Sequence, residues 1–244
     1  MGDVTGIEYA HHTFNPWEGC QEVGPGCDNC YAKARNARYG GGIAPNWGPN
    51  APRRRTSLAN WKKPLTWNRK AAAEGKRHRV FCASLADIFD NAVDPQWRED
   101  LFELIRQTPW LDWLFISKRV GNIKEMLPSD WGDGYPNVWL GITVVNQAEA
   151  DRDIPKLLAL PARIRFLSME PLLGFVNLTH IRHPLFAATI NALTGIWSWD
   201  SGPSRKESPH LDWVIAGGES GKLVPLVALP LRRCRCAVLL QTVG

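Results

Sequence analysis

Three cysteines near the start of the chain are the residues best suited to do chemistry. The segment 13–32 reads TFNPWEGCQEVGPGCDNCYA and places Cys20, Cys27 and Cys30 at C-x6-C-x2-C spacing. Three thiolates can hold a four-iron, four-sulfur (4Fe-4S) cluster and leave one iron open to a substrate or cofactor. Three glycines in residues 19–31, the cysteine loop, would let the backbone wrap closely around such a cluster.

Two other interpretations of the cysteine loop remain open from the residues alone. The same thiolates suit zinc, with His11 or His12 as the fourth ligand of a structural site. Alternatively, the thiols carry no ligand. A helix predicted to begin near Asn29 would place its positive end beside the thiols, which lowers thiol pKa values and favours an anionic cluster. Cys82 lies in an apolar run and is interpreted as a core residue.

Six apolar runs of strand length predict the elements that position the cysteine loop. They lack in/out alternation, which is typical of parallel strands covered on both faces. The predicted strands are Glu8–Thr13, Arg79–Ser84, Asp112–Ser117, Val138–Thr143, Arg163–Ser168 and Leu211–Ala216. The predicted helices are Asn29–Arg38, Pro95–Gln107 and Gln147–Leu160, the last interrupted at Pro155. Six β/α steps favour an α/β fold with a partial β/α barrel, and a flat doubly wound sheet is the alternative.

Polar groups or glycines follow the predicted strands after the first, and in β/α barrels this is where chemistry takes place. Any one such residue could be a solvated loop residue, but five strand ends in succession share this character. The candidate cofactor-binding residues at these ends are Ser84, Asp87, Lys118, Thr143, Glu170, Gly217, Gly218 and Glu219.

Composition favours a globular cytoplasmic protein with one domain over residues 1–221. No apolar stretch approaches the roughly 18 residues that span a bilayer, and the first residues do not form a signal peptide. Residues 40–55 are predicted to be an exposed loop, and residues 177–210 an insertion on the barrel.

The net charge of +5 gives little support to a nucleic-acid partner. Residues 222–244 carry four basic residues and no acidic one, so the rest of the chain has 25 basic and 24 acidic residues. A zinc- or cluster-stabilised module without catalysis could still contact nucleic acid through Arg53, Arg54, Arg55 and tryptophans. Most of the 12 tryptophans lie in or beside predicted strands and helices, which favours core packing.

The cysteine segment together with RVFCASLADIFD, DWLFISKR, NVWLGITV, RFLSMEPLLG and DWVIAGGESG resembles a phage- and prophage-associated family of unknown function. That family is described as radical S-adenosylmethionine (SAM)-like and is linked to a "three-Cys-motif partner" protein. The resemblance implies a cluster on Cys20, Cys27 and Cys30, SAM on the open iron, and Tyr31 near the adenine of SAM. It implies an enzyme that cleaves SAM reductively. The first cysteine interval, six residues, departs from the usual C-x3-C-x2-C.

The tail 222–244 departs from the ending that the resemblance implies. Permitted codons for Cys234–Gly244, read one nucleotide later, spell Ala-Gly-Val-Pro-Phe-Phe-Phe-Lys-Gln-Trp, which is typical of the end of that family. We therefore expect a frameshift shortly after Gly221, with the tail read out of frame.

Overall fold

The computed structural model describes Thr5, residues 7–218 and residues 237–239 of the 244-residue chain. Within these residues no helix is both long and apolar enough to cross a membrane. The strands of the main sheet are β1 (His12–Phe14), β4 (His78–Cys82), β5 (Leu111–Ser117), β6 (Val138–Thr143), β7 (Ile164–Met169), β12 (Trp213–Ala216) and β13 (Ala237–Leu239). A small pair consists of β2 (Trp17–Glu18) and β3 (Arg54–Arg55). The helices are α1 (Tyr31–Tyr39), α2 (Leu58–Trp61), α3 (Lys63–Glu74), α4 (Pro95–Arg106), α5 (Val120–Met126) and α6 (Gln147–Ala159).

The first six strands of the main sheet are all parallel and follow one another in chain order. The order is β1-β4-β5-β6-β7-β12, and β13 adds to β12 in the antiparallel direction. A doubly wound sheet reverses its strand order at a switch point, and this order has no reversal. The α/β prediction is therefore confirmed, and the doubly wound alternative is wrong. No pairing joins β1 to β12 among the described residues.

The sheet curves strongly. The ring of Tyr9 contacts Phe81 of β4 and Trp213 of β12, with centroid distances of 6.0 and 5.7 Å. These two rings are therefore no more than about 12 Å apart, whereas four strand spacings in a flat sheet would separate them by ~19 Å. The first strand begins later than the start of its predicted range, Glu8–Thr13. Residues 8 and 9 form a turn that puts Tyr9 across the concave face, and β1 begins only at His12.

Apolar side chains cover both faces of the sheet, as the runs predict. The larger cluster lies between the sheet and the helices and includes Phe115, Leu101 and Ile105. The smaller cluster lies on the concave face and includes Tyr9, Leu114 and Phe166. Burial on both sides removes the need for polar alternation along each strand, which explains the sequence pattern.

Two of the three predicted helices differ from their predicted form. Helix α4 agrees, and the Asp94 carboxylate accepts a hydrogen bond from the amide of Gln96 at 2.9 Å to cap it. Helix α1 begins at Tyr31 rather than Asn29. Helix α6 continues through Pro155, so the predicted interruption is wrong. Pro155 is buried along with Ile154 and Leu157, and packing of this apolar face stabilises the helix despite one missing backbone hydrogen bond.

Residues 177–210 contain a separate antiparallel sheet of four strands. These strands are β8 (Ile181–Arg182), β9 (Ala188–Asn191), β10 (Ile196–Trp199) and β11 (Gly202–Glu207). Ile181 and Ile190 are fully buried against the main core, so the insertion packs on the domain. The expected frameshift in 222–244 stays a prediction. Apart from residues 237–239, this segment lies outside the described residues.

Candidate functional site

The cysteine loop lies at the carboxyl end of the parallel sheet, where it follows β1 and the short strand β2. Gly19 pairs with Ala86 beyond the end of β4, and Cys20 pairs with Trp47. Gly19 has a φ of 110°, and a Cβ there would lie 2.5 Å from the carbonyl oxygen of Asn46. A residue other than glycine would therefore be strained at this turn.

The three cysteines occupy different local structures within this loop. Cys20 is half-buried, Cys27 is buried in a short 3-10 turn (Pro25–Cys27), and Cys30 precedes the first residue of α1. All three are free thiols. The amide of Cys30 donates to the carbonyl of Cys27 at 3.2 Å, so the two share one tight turn.

The donor chemistry of the loop fits a metal cluster, but the present positions of the thiols do not form a ligand set. Over residues 5, 7–218 and 237–239, no three His, Cys, Asp or Glu side chains come together in a group that could hold a metal ion.

The surroundings of Cys20 differ from the expectation that a helix end would lower thiol pKa values. Burial raises the pKa of Cys20 to about 11, and the carboxylates of Asp87 and Asp90 add to this. Arg119 opposes the shift through its charge and a hydrogen bond. Without a bound cation, Cys20 therefore remains a protonated thiol at neutral pH.

Arg119 and Asp90 belong to a buried ionic network beside the cysteine loop. Asp90 accepts a hydrogen bond from Arg53 Nε at 2.7 Å, and the two side chains are only 2% and 1% exposed. Arg119 lies 3.9 Å from Asp90 and donates to the carbonyl of Gln21 at 2.8 Å. The Nε of Arg119 is buried and has no hydrogen-bond partner among the described residues.

The prediction that residues 40–55 form an exposed loop is wrong at Arg53, whereas Arg54 is exposed as predicted. Arg53 is buried and also donates to three backbone carbonyls of this segment. Arg54 pairs with Glu18, and Arg55 pairs with Asp100. Each guanidinium has a carboxylate partner and only Arg54 stays largely exposed, so the three arginines do not act together as one basic patch.

Asp87 is buried and hydrogen-bonded within the protein. Its carboxylate accepts one bifurcated hydrogen bond from the Ser117 hydroxyl, whose oxygen lies 2.9 and 3.1 Å from the two carboxylate oxygens. It accepts two more from the amides of Lys118 and Phe89, each at 3.0 Å. Burial raises the pKa of Asp87, and these hydrogen bonds oppose the shift. In this structure Asp87 joins the loop after β4 to the end of β5.

Three of the candidate cofactor-binding residues lie close together on one side of the cysteine loop. The Tyr31 hydroxyl donates to the carbonyl of Ser84 at 2.6 Å, and although Tyr31 is 54% exposed as a whole, burial of its hydroxyl end raises its pKa to about 12. The charges of Cys30 and Glu170 raise that pKa further. The Ser84 hydroxyl in turn exchanges hydrogen bonds with the buried amide of Asn15.

Lys118 and Thr143 meet on the other side of the cysteine loop. The Lys118 ammonium donates to the Thr143 hydroxyl at 3.5 Å. Gly24 and Gly26 of the loop and Glu149 help to enclose a cavity of about 10 Å³ beside them. That space suits one water molecule. It does not fit SAM.

The remaining candidates follow β12 in the sequence. Glu170 lies over Gly217, and a Cβ on Gly217 would come within 2.6 Å of its carboxylate. Gly217 therefore allows the close approach of a charged side chain. The space beside Gly218 is open, and Glu219 lies outside the described residues.

The two histidines considered as zinc ligands lie elsewhere. His12 Nε2 contacts His78 Nδ1 at 3.0 Å, and its ring stacks on Trp67 with a centroid distance of 4.3 Å. His11 Nδ1 accepts from the amide of Arg79 at 2.9 Å. Both contacts are at the amino end of β4, so His11 and His12 as zinc ligands were a wrong prediction.

Sequence reasoning did not select Asn15, Asp90 or Arg119 as site residues. Asn15 accepts from the amide of Leu85 at 2.8 Å and fixes the loop that follows β4. Arg119 directly follows Lys118 in the sequence, so its position at the end of a predicted strand could have identified it. Nothing in the sequence indicated that Asp90 lies beside the cysteine loop, because that contact depends on how two loops fold together.

The fold and site define an α/β protein with a curved, singly wound parallel sheet and a cysteine loop at its carboxyl end. The chain belongs to the family described as Protein of unknown function (DUF5131), whose model matches residues 4–227. No curated protein and no solved structure matches the chain.

Proposed function

We propose that this chain is an iron–sulfur protein that holds a 4Fe-4S cluster on Cys20, Cys27 and Cys30. We further propose that the curved sheet is a partial β/α barrel of the radical SAM type and that the protein is an enzyme. The observation that carries the proposal is the placement of three free thiols in one loop at the carboxyl end of the parallel sheet. In β/α barrels this is the end where catalytic groups gather.

Arg119 supports a cluster in preference to unligated thiols. A buried guanidinium nitrogen without a partner is costly, and a cluster or its thiolate ligands would offer it a hydrogen-bond acceptor. The same guanidinium opposes the rise in the pKa of Cys20. Hydrogen bonds to cluster sulfurs also adjust the reduction potential.

SAM is the proposed occupant of the open iron, with Tyr31, Ser84 and Glu170 on one side and Lys118 and Thr143 on the other. The cavity beside Lys118 and Thr143 accommodates about one water molecule, so the proposed SAM site is not this cavity alone.

Anaerobic spectroscopy tests the proposal in two stages. Purified protein should be brown and show broad visible absorption, whereas a zinc protein would be colourless. Reduced with dithionite and mixed with SAM, it should then release 5′-deoxyadenosine, and Glu170→Gln should reduce the yield. A cluster without deoxyadenosine would contradict the SAM proposal and leave an electron-transfer or structural cluster. A colourless, zinc-loaded protein would contradict the cluster itself.

A further inference from the structure

A second surface, on the outer side of the cysteine loop, forms a cleft that the proposed cluster does not use. It has a volume of about 370 Å³, within the ordinary range of small-ligand sites. It lies between α1 and the segment that leads into β3. The residues that matter to its chemistry are Glu18, Arg35, Asn36, Tyr39, Asn46 and Arg54.

The cleft is rigid on one side. The Asn36 amide donates to the Asn46 side chain at 3.2 Å, and the Asn46 backbone amide donates back to Asn36 at 3.1 Å. Asn46 also donates to the carbonyl of Pro52 at 2.8 Å. The first two hydrogen bonds connect helix α1 to the opposite wall and the third holds that wall in place, so a ligand would not have to assemble the cleft.

The charge of the cleft is positive. Arg35 and Arg54 both contact the single carboxylate of Glu18, at 3.5 and 2.5 Å. Glu18 is the only acidic residue among the described lining residues. One cation is therefore in excess, and the Arg54 side chain is 63% exposed. An anionic group could bind to these two guanidinium groups without competition from a second carboxylate.

An aromatic ring stands beside the same cations. The guanidinium of Arg35 lies 5.1 Å from the ring centroid of Tyr39. Tyr39 is 75% exposed, although tyrosine rings are usually at least partly covered. Ala32 is the buried residue of helix α1, so packing against the core does not explain why the helix carries Tyr39.

We propose that this cleft binds a nucleotide, with the base stacked on Tyr39 and the phosphate held by Arg35 and Arg54. Aromatic rings beside guanidinium groups bind nucleotides in this way without selecting one base. The same chemistry fits a free nucleoside monophosphate and one unit of a single strand of nucleic acid. This proposal does not rest on the cluster, because no thiol lines the cleft.

Fluorescence anisotropy with a fluorescein-labelled single-stranded DNA oligonucleotide tests the proposal on the full chain, and competition with AMP distinguishes the two sources. We expect binding that weakens as salt is added, since it depends on guanidinium–phosphate contacts. Tyr39→Ala should weaken binding by about tenfold, because stacking of one base is worth roughly that much. Tyr39→Phe should retain most of the affinity.

The two charged positions should shift affinity in opposite directions. Arg54→Gln should weaken binding, and Glu18→Gln should strengthen it severalfold by releasing both arginines. Arg38→Gln is the matched control, because Arg38 is exposed on the same helix but does not line the cleft. Displacement of the oligonucleotide by AMP indicates a free-nucleotide site, and binding of the oligonucleotide without such competition indicates a strand.

Absence of binding by both the oligonucleotide and AMP would overturn the proposal. So would equal affinities for the parent protein, Arg54→Gln and Tyr39→Ala. Arg54 and Tyr39 are both largely exposed, so neither change should prevent folding.

Discussion

Polar residues have different surroundings at the two ends of the parallel sheet. At the amino end, side chains pair with one another: Arg77 donates to Asp112 at 2.8 and 2.6 Å, and His78 contacts Glu74 at 2.9 Å. At the carboxyl end, Asp87 and Asp90 are buried near the Cys20 thiol. The ion pairs at the amino end are partly exposed, whereas the carboxyl end concentrates thiols and buried charges.

This difference separates stability from chemistry within one fold. A partly exposed ion pair contributes little to the free energy of unfolding, and its loss is tolerated. Buried charges cost desolvation energy, so an arrangement that keeps several of them together beside thiols is expected where a ligand binds. We therefore expect variants at the carboxyl end to affect both stability and metal binding, and variants at the amino end to affect stability alone.

The largest effect on stability is expected from breaking the buried pair of Arg53 and Asp90. Arg53→Met leaves the Asp90 carboxylate buried without its closest partner, which should lower the free energy of unfolding by about 3–5 kcal/mol. Urea denaturation measures the change. Arg54→Met is the matched control, and its exposed arginine should cost about 1 kcal/mol or less. Equal losses in the two variants would show that the buried pair contributes no more to the free energy of unfolding than the exposed one.

A smaller effect is expected at Asp87. Asp87→Ala leaves the amides of Lys118 and Phe89 without their acceptor, which should cost about 2–3 kcal/mol. The result also bears on the cluster, because Asp87 connects the loop after β4 to β5 and should influence iron retention. A stability close to that of the parent protein would mean that water replaces the carboxylate without penalty.

The titration of Asp87 predicts the direction in which stability changes with pH, and this direction can be measured separately. Burial raises its pKa in the folded protein above the unfolded value of 3.8, so the folded state binds this proton more tightly. Its contribution is therefore fully present below pH 3.8 and is lost as the pH rises through the raised pKa. Relative to Asp87→Asn, the parent protein should lose stability as the pH increases over this range. A gain over the same range would contradict the assignment.

The smallest effect is expected at the amino end. Arg77→Gln removes the contact with Asp112, and because the Arg77 side chain is 43% exposed the loss should be about 1 kcal/mol or less. Iron content should not change, since Arg77 lies at the end of the sheet opposite the cysteine loop. A loss of iron in this variant would remove the distinction between the two ends.

The fold was more predictable from the sequence than the site. Strands such as Val138–Thr143 were predicted with their observed bounds because apolar runs and strand lengths depend on local residues. The buried role of Arg53 was not predictable, because a basic residue in a Gly/Pro-rich segment is ordinarily solvated. Its partner Asp90 is 37 residues away in sequence, and only the folded arrangement of two loops brings them together.

The candidate site shows the same limit. Residues at strand ends were placed at the correct edge because parallel strands share one carboxyl end. What each side chain does there depended on neighbours that sequence spacing does not reveal. Asp87 bonds to protein groups, and Glu170 lies over Gly217.

Iron and sulfide content after anaerobic reconstitution tests the central claim most directly. The parent protein should bind close to four irons and four sulfides, because three thiolates suffice to hold a 4Fe-4S cluster. Cys27→Ala and Cys30→Ala should lose it, whereas Cys82→Ala, which changes a buried thiol outside the loop, should retain it. Full iron content in Cys27→Ala would contradict the assignment of the cluster to the cysteine loop.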